Sequence, residues 1–166
     1  MSVPYSTIFN LFLSSIQDYN INQMYQNDTQ NNTQTMEQYI EPWLIKSIPN
    51  FTNCQYNLED RDDVTMIFNP NNTPNSDLGT DEQVILSNLM VIEWLKKQIN
   101  DITQMNLHLQ DTDFKTFAEG QNLTAKTNHK NETTEEVNNL MVRYGYKNLD
   151  FSTLDNFYTS PNNPSS

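Results

Sequence analysis

Cysteine occurs once, at Cys54, so no disulfide can form within the chain and a reducing compartment is the expected setting. Its neighbours suit a small buried apolar residue better than a reactive thiol. Glycine occurs only 3 times in 166 residues. Tight turns and bulges draw on glycine, so its scarcity argues against a sheet-and-turn architecture and for helices joined by polar connections. Lysine and arginine are few, 9 against 21 acids, and the formal net charge is −12. A chain without clustered cations lacks the electrostatic footprint of a nucleic-acid binder. The two histidines, His108 and His129, stand far apart in polar surroundings. There is no HExxH, no Cys/His cluster, no phosphate-cradling glycine loop and no nucleophile elbow. No catalytic, metal or cofactor residue is therefore assigned, and an enzyme is not expected. No apolar run reaches the roughly 20 residues a bilayer needs, and the N-terminus lacks the basic region of a secretory signal. A soluble intracellular product without membrane association is expected.

What is abundant is the side-chain amide: 25 asparagines and 12 glutamines, concentrated between the patterned segments. Apolar residues still make up 36% of the chain and aromatics 11%, enough for a core. The periodicity predicts an all-α domain, a small helical bundle over residues 1–148, followed by a tail over 149–166. A first helix is expected over Pro4–Tyr19, with Ser6 and Thr7 able to cap it and Ile8, Phe9, Phe12, Leu13 and Ile16 on one stripe. Asn20–Gln34 reads as a flexible polar connection with at most a turn near Met24 and Tyr25. A second helix is expected over Thr35–Ser47, where Met36, Tyr39, Ile40, Trp43 and Leu44 share a face. Pro42 predicts either a kink there or a fresh helix start at Glu41.

Asn57–Gly79 is rich in Pro, Asn and Asp and reads as an irregular loop, anchored inward by Met66, Ile67 and Phe68. Its acids do not match the spacing of a calcium loop, so they read as caps and solvated charge. The stretch TDEQVILSNLMVIEWLKKQIND, Thr80–Asp101, is the best organised. Thr80 with Gln83 makes a capping box, and from Val84 to Leu95 only Ser87, Asn88 and Glu93 are polar. A helix apolar nearly all round is buried on most sides, so this one is expected at the centre of the bundle or partly covered by neighbouring copies. Ile102, Met105, Leu107 and Leu109 can carry a short continuation. Phe114 and Phe117 lead through Gly120 into a polar run to Asn131, for which helix and loop both stay open. A last helix is expected over Thr133–Tyr144, with Val137, Leu140, Met141 and Tyr144 inward and Gly145 as its left-handed cap.

Four patches in this order resemble the neck proteins of tailed bacteriophages, the head-to-tail connectors or adaptors. They are FLSSIQDYNI (Phe12–Ile21); Cys54, Leu58 and Arg61-Asp62-Asp63 ahead of Phe68; EQVILSNLMVIEWLKKQIN (Glu82–Asn100); and DFKTF (Asp113–Phe117) with the later MVRYGYKNLDFSTL. The chain departs from that pattern at Asn20–Gln34, where relatives tend to be charged and helical, and at an expanded Asn69–Gly79 loop. The resemblance implies an all-helical subunit, with no catalytic residues, that joins identical copies in a closed ring, typically of twelve. The ring would sit beneath the portal protein in the neck of the virion, extend the DNA channel and receive the stopper or tail proteins.

Ring assembly needs two different patches per subunit. Candidate interface residues are Trp94 and the tail residues Leu149, Phe151, Leu154, Phe157 and Tyr158, because aromatic and large apolar side chains anchor interfaces. A channel that passes DNA without gripping it suits carboxylates, with Glu59, Asp60, Asp62, Asp63, Asp111 and Asp113 as candidates. The competing readings are another neck or tail-completion protein (stopper or terminator), an acidic DNA-mimicking inhibitor of a host protein, and an enzyme using scattered carboxylates.

Overall fold

The computed structural model describes residues 2–16, 33–71, 78–108 and 113–149, with the backbone alone for 33–35, 106–108 and 113–119. Among them, four helices surround a continuous core and one minimal sheet closes one side: β1 (Val3–Pro4), α1 (Tyr5–Ser15), α2 (Thr33–Ser47), β2 (Arg61–Asp62), β3 (Ile67–Phe68), α3 (Thr80–His108) and α4 (Asp113–Lys147). The domain is all-α in class, as its apolar spacing predicts. Helix α3 packs against α1, α2 and α4, which makes it the hub. Ile85, Leu86, Leu89, Met90, Val91, Ile92, Trp94 and Leu95 are all buried, as expected of a helix apolar on nearly every side. Each such side chain taken fully from water contributes about 1.5–3 kcal/mol, so this short run is the main stabilising element.

The one-faced helices supply the rest of the core. Tyr5, Ile8, Phe9 and Phe12 are the buried residues of α1. Met36, Ile40, Trp43 and Leu44 bury from α2, with Phe12 and Trp43 ring centroids 5.8 Å apart. Helix α1 is shorter than the Pro4–Tyr19 prediction. Its last turn loosens because Ser14 and Ser15 both turn their hydroxyls back to the Leu11 carbonyl, at 2.6 and 3.1 Å, and Ile16 is already extended. Ser6 and Thr7 lie inside the helix and do not cap it. The Tyr5 N–H instead donates to the Met66 carbonyl at 2.8 Å. Helix α2 runs unbroken through Pro42, which is exposed, and no new helix starts at Glu41. The ring faces solvent, where the lost backbone bond is least costly.

The segment read as an irregular loop contains strands. β3 lies between β1 and β2, both antiparallel to it, with Val3 opposite Phe68 and Arg61 opposite Phe68 on the other side. Phe68 does dip inward, 4.7 Å from the Tyr5 ring centroid. Met66 and Asn69 take left-handed backbone conformations at φ 53° and 52°, a region Asn tolerates and Met rarely enters. At the start of α3 the capping box is replaced. The Gly79 carbonyl accepts the Gln83 N–H, and the Gln83 side chain donates to the Leu78 carbonyl at 2.9 Å.

The second half of the chain is more helical than predicted. α3 continues to His108, and one helix, α4, replaces the polar run and the separate Thr133–Tyr144 helix. Gly145 is therefore not a left-handed cap: no glycine has positive φ. Its role is close approach, since a Cβ there would lie 3.1 Å from Asn53 Nδ2. The turn expected near Met24 and Tyr25 and the tail from Asp150 onward lie outside the described residues.

Candidate interaction surfaces

The acidic hairpin is built by its own side chains. Asp62 Oδ1 accepts the N–H groups of Val64 and Thr65 at 2.9 and 3.3 Å, and the Thr65 hydroxyl donates to Oδ2 at 2.8 Å. These donors hold the Asp62 carboxyl below its usual range. Arg61 sits between Glu59, at 2.5 Å, and Asp63, at 3.1 Å, and also donates to the Leu58 carbonyl. The buried Tyr5 hydroxyl donates to Asp63 at 2.7 Å. Burial first, then Asp63, pushes the Tyr5 phenol well above its ordinary value. Burial and the same Asp63 charge raise the Glu41 carboxyl on α2, a neighbour of the hairpin that apolar spacing does not reveal. Glu59, Asp60, Asp62 and Asp63 are thus gathered into one feature, but three of them also hold the hairpin together. Asp111 is outside the described residues, and Asp113 is placed only as the first residue of α4.

A second feature surrounds the end of α4. The loop after α2 is laced to it: Asn53 Nδ2 donates to the Met141 carbonyl at 2.7 Å, the Gln55 N–H to the Tyr144 hydroxyl at 3.1 Å, and Gln55 Nε2 to the Asn148 carbonyl at 3.2 Å. The Tyr144 phenol is raised, chiefly by burial and further by its bond to the buried Glu82. Burial likewise raises the half-buried Cys54 thiol, which disfavours the thiolate. Lys147 reaches Asp81 across the surface at 2.5 Å. Such an exposed pair contributes little. Between the start of α3 and the end of α4 lies a hollow of about 210 Å³, lined by Asp81, Val84, Ile85, Leu140, Arg143, Tyr144 and Lys147.

The outer side of the same helix end is apolar and uncovered. Val142, Tyr146 and Leu149 are 55%, 65% and 53% exposed. Val142 and Tyr146, four apart in α4, share a face, and Leu149 follows just past the helix end. Leu149 was expected as an interface residue and lies on the surface. Val142 and Tyr146 are further exposed apolar residues that its position alone does not signal. Phe151, Leu154, Phe157 and Tyr158 lie outside the described residues. Trp94 requires a correction: it is buried between α3 and α4, with the Lys126 ammonium 5.6 Å from its ring, so it belongs to this chain's own core.

Farther along the α3–α4 seam is a second hollow of about 280 Å³. Leu89, Ile92, Val137 and Met141 line its apolar part, and Lys96, Lys130, Thr134, Asn138 and Asn50 its polar part. Lys96 pairs with Glu93 at 2.5 Å, and Asn50 donates to the same carboxylate at 3.3 Å. Among the described residues no group of three or more His, Cys, Asp or Glu could hold a metal ion, and no helix is long and apolar enough to cross a membrane. No family model, curated protein or solved structure matches this chain.

Proposed function

We propose that this chain is a structural subunit of a tailed-phage neck, a head-to-tail connector that rings with copies of itself beneath the portal and extends the DNA channel. The observation that carries the reading is the exposed apolar trio Val142, Tyr146 and Leu149 at the end of α4, which in sequence precedes Phe151, Phe157 and Tyr158. Among the described residues the core is filled without these three side chains, and exposed apolar surface marks contact sites. The order of the four sequence patches likened to connectors supports the same role. The acidic hairpin, with Arg61 offsetting only part of its charge, fits a surface that turns phosphates away. The net charge of −12 fits it too.

The test is to mix the full chain with the portal protein of the genome that encodes it and to weigh the products. Addition of a ring of this chain to the portal is expected, even if the chain alone stays a monomer. Absence of any portal complex, with one tight basic host partner recovered instead, would sink the connector reading in favour of a DNA-mimicking inhibitor.

A further inference from the structure

The second α3–α4 hollow has a chemistry that stands out in so acidic a chain. Its floor is Leu89, Ile92, Val137 and Met141, and Lys96 and Lys130 stand at its rim. Lys96 already has Glu93, whereas Lys130 makes no ion pair among the described residues. An occupant should therefore combine large apolar side chains with carboxylates. The segment that follows the last described residue has that composition: Asp150-Phe151-Ser152-Thr153-Leu154-Asp155-Asn156-Phe157-Tyr158, with no lysine or arginine from Asn148 to Ser166. The direction in which the chain leaves α4 decides whose segment it is. The Asn148 N–H bonds to the Tyr144 and Gly145 carbonyls, and the Leu149 N–H to Tyr146, so the last turn of α4 stays wound through Asn148 and the chain leaves it only at Leu149. The hollow lies behind that point, beside α4 from Met141 back to Lys130. A chain's own segment would have to reverse at once to reach it, while a neighbour's segment has no such constraint.

We propose that the hollow between α3 and α4 is the seat for residues 150–158 of a second copy of this chain. Phe151, Leu154 and Phe157 supply the apolar contacts, and Asp150 and Asp155 face Lys130 and Lys96. A donor segment and an acceptor hollow on different parts of one subunit make a head-to-tail contact, which closes into a ring when the rotation allows. The second copy rests on the connector reading. The hollow's preference for an acidic, aromatic segment does not.

The experiment places a photoreactive benzoylphenylalanine at Phe157 in the full chain and mixes ordinary with ¹⁵N-labelled copies before irradiation. Cross-links between a heavy and a light copy are expected, landing in Leu89–Lys96 or Lys130–Met141. Lys130→Glu should lower their yield about tenfold, as when one rim pair becomes like-charged. Adding Asp150→Lys and Asp155→Lys should restore it. A helical spectrum unchanged by Lys130→Glu keeps the comparison free of misfolding. Links confined to single copies, links landing elsewhere, yields indifferent to charge reversal, or no links at all would overturn the proposal. A chain that cross-links as expected but ignores portal protein would retire the phage role and keep the seat. Portal binding without these links would do the reverse.

Discussion

The two long helices present nearly opposite surfaces. Along α3, every residue from Ile85 to Leu95 except Asn88 and Glu93 is buried, and from Lys96 to Met105 none is. Along α4, the buried residues among the described side chains are Thr133, Val137 and Tyr144 alone. One helix is the core, and the other is a cover fixed at a few points. A helix that is polar nearly all round draws little stability from its own burial, so it depends on anchors such as Tyr144 and leaves most of its surface for other contacts. The difference locates folding energy in the first half of α3 and interaction surface at the end of α4.

The largest effect should come from breaking α3. Leu86 is fully buried, and Leu86→Ala should lower unfolding free energy by about 2–5 kcal/mol through lost burial and the cavity left behind. Tyr146→Glu on α4 should change it by less than about 0.5 kcal/mol, because that side chain touches mostly solvent. Denaturant midpoints at unchanged slope measure both. If Tyr146→Glu unfolded the chain as readily as Leu86→Ala, the division between core helix and cover helix would be false.

The anchors come next, and pH probes them without mutation. Tyr5 and Tyr144 both have phenols raised above the usual tyrosine range, chiefly by burial. In the unfolded chain they ionise near pH 10, while in the folded chain they keep their protons. Above that pH the folded state binds more protons than the unfolded one, so stability must fall as pH rises. The stabilisation is fully present below about pH 10 and fades above it. Tyr144→Phe should flatten part of that decline. It should also cost about 1–3 kcal/mol at neutral pH, since it leaves the Gln55 N–H and the buried Glu82 without their partner. A decline identical in wild type and in the Tyr5→Phe, Tyr144→Phe double variant would refute this account.

Helix existence was legible wherever apolar residues recur at helical spacing with an inward face, as in Ile8–Phe12, Met36–Leu44 and Val84–Leu95. The sheet was not, because each strand is two residues long and its pairing joins Val3 to Phe68, a match no local period can reveal. The full extent of α4 was hidden because a polar surface leaves helix and loop both open from Gly120 to Asn131, and packing against α3 decides between them. Of the candidate site, Leu149 was visible from its place beyond the last helix, and Trp94 was misjudged because an interface anchor and a core residue look the same in sequence. The second hollow could not be foreseen, since Lys96 and Lys130 come together only when α3 and α4 pack.

Gly145 gives the smallest and sharpest test, because a glycine just inside or just past a helix end looks alike in sequence. Inside the helix, Gly145→Ala gains about 1 kcal/mol of helix propensity. The new methyl would meet Asn53 Nδ2, however, and threaten its 2.7 Å bond to the Met141 carbonyl, whose loss costs a comparable amount. The net change should stay within about 0.5 kcal/mol. In an Asn53→Ala background the obstruction is gone, and Gly145→Ala should then stabilise by about 0.5–1 kcal/mol. Were Gly145 a left-handed cap, alanine would destabilise in both backgrounds, because its Cβ resists positive φ wherever Asn53 sits. Opposite signs in the second background thus separate a glycine kept for close approach from one kept for its backbone angle.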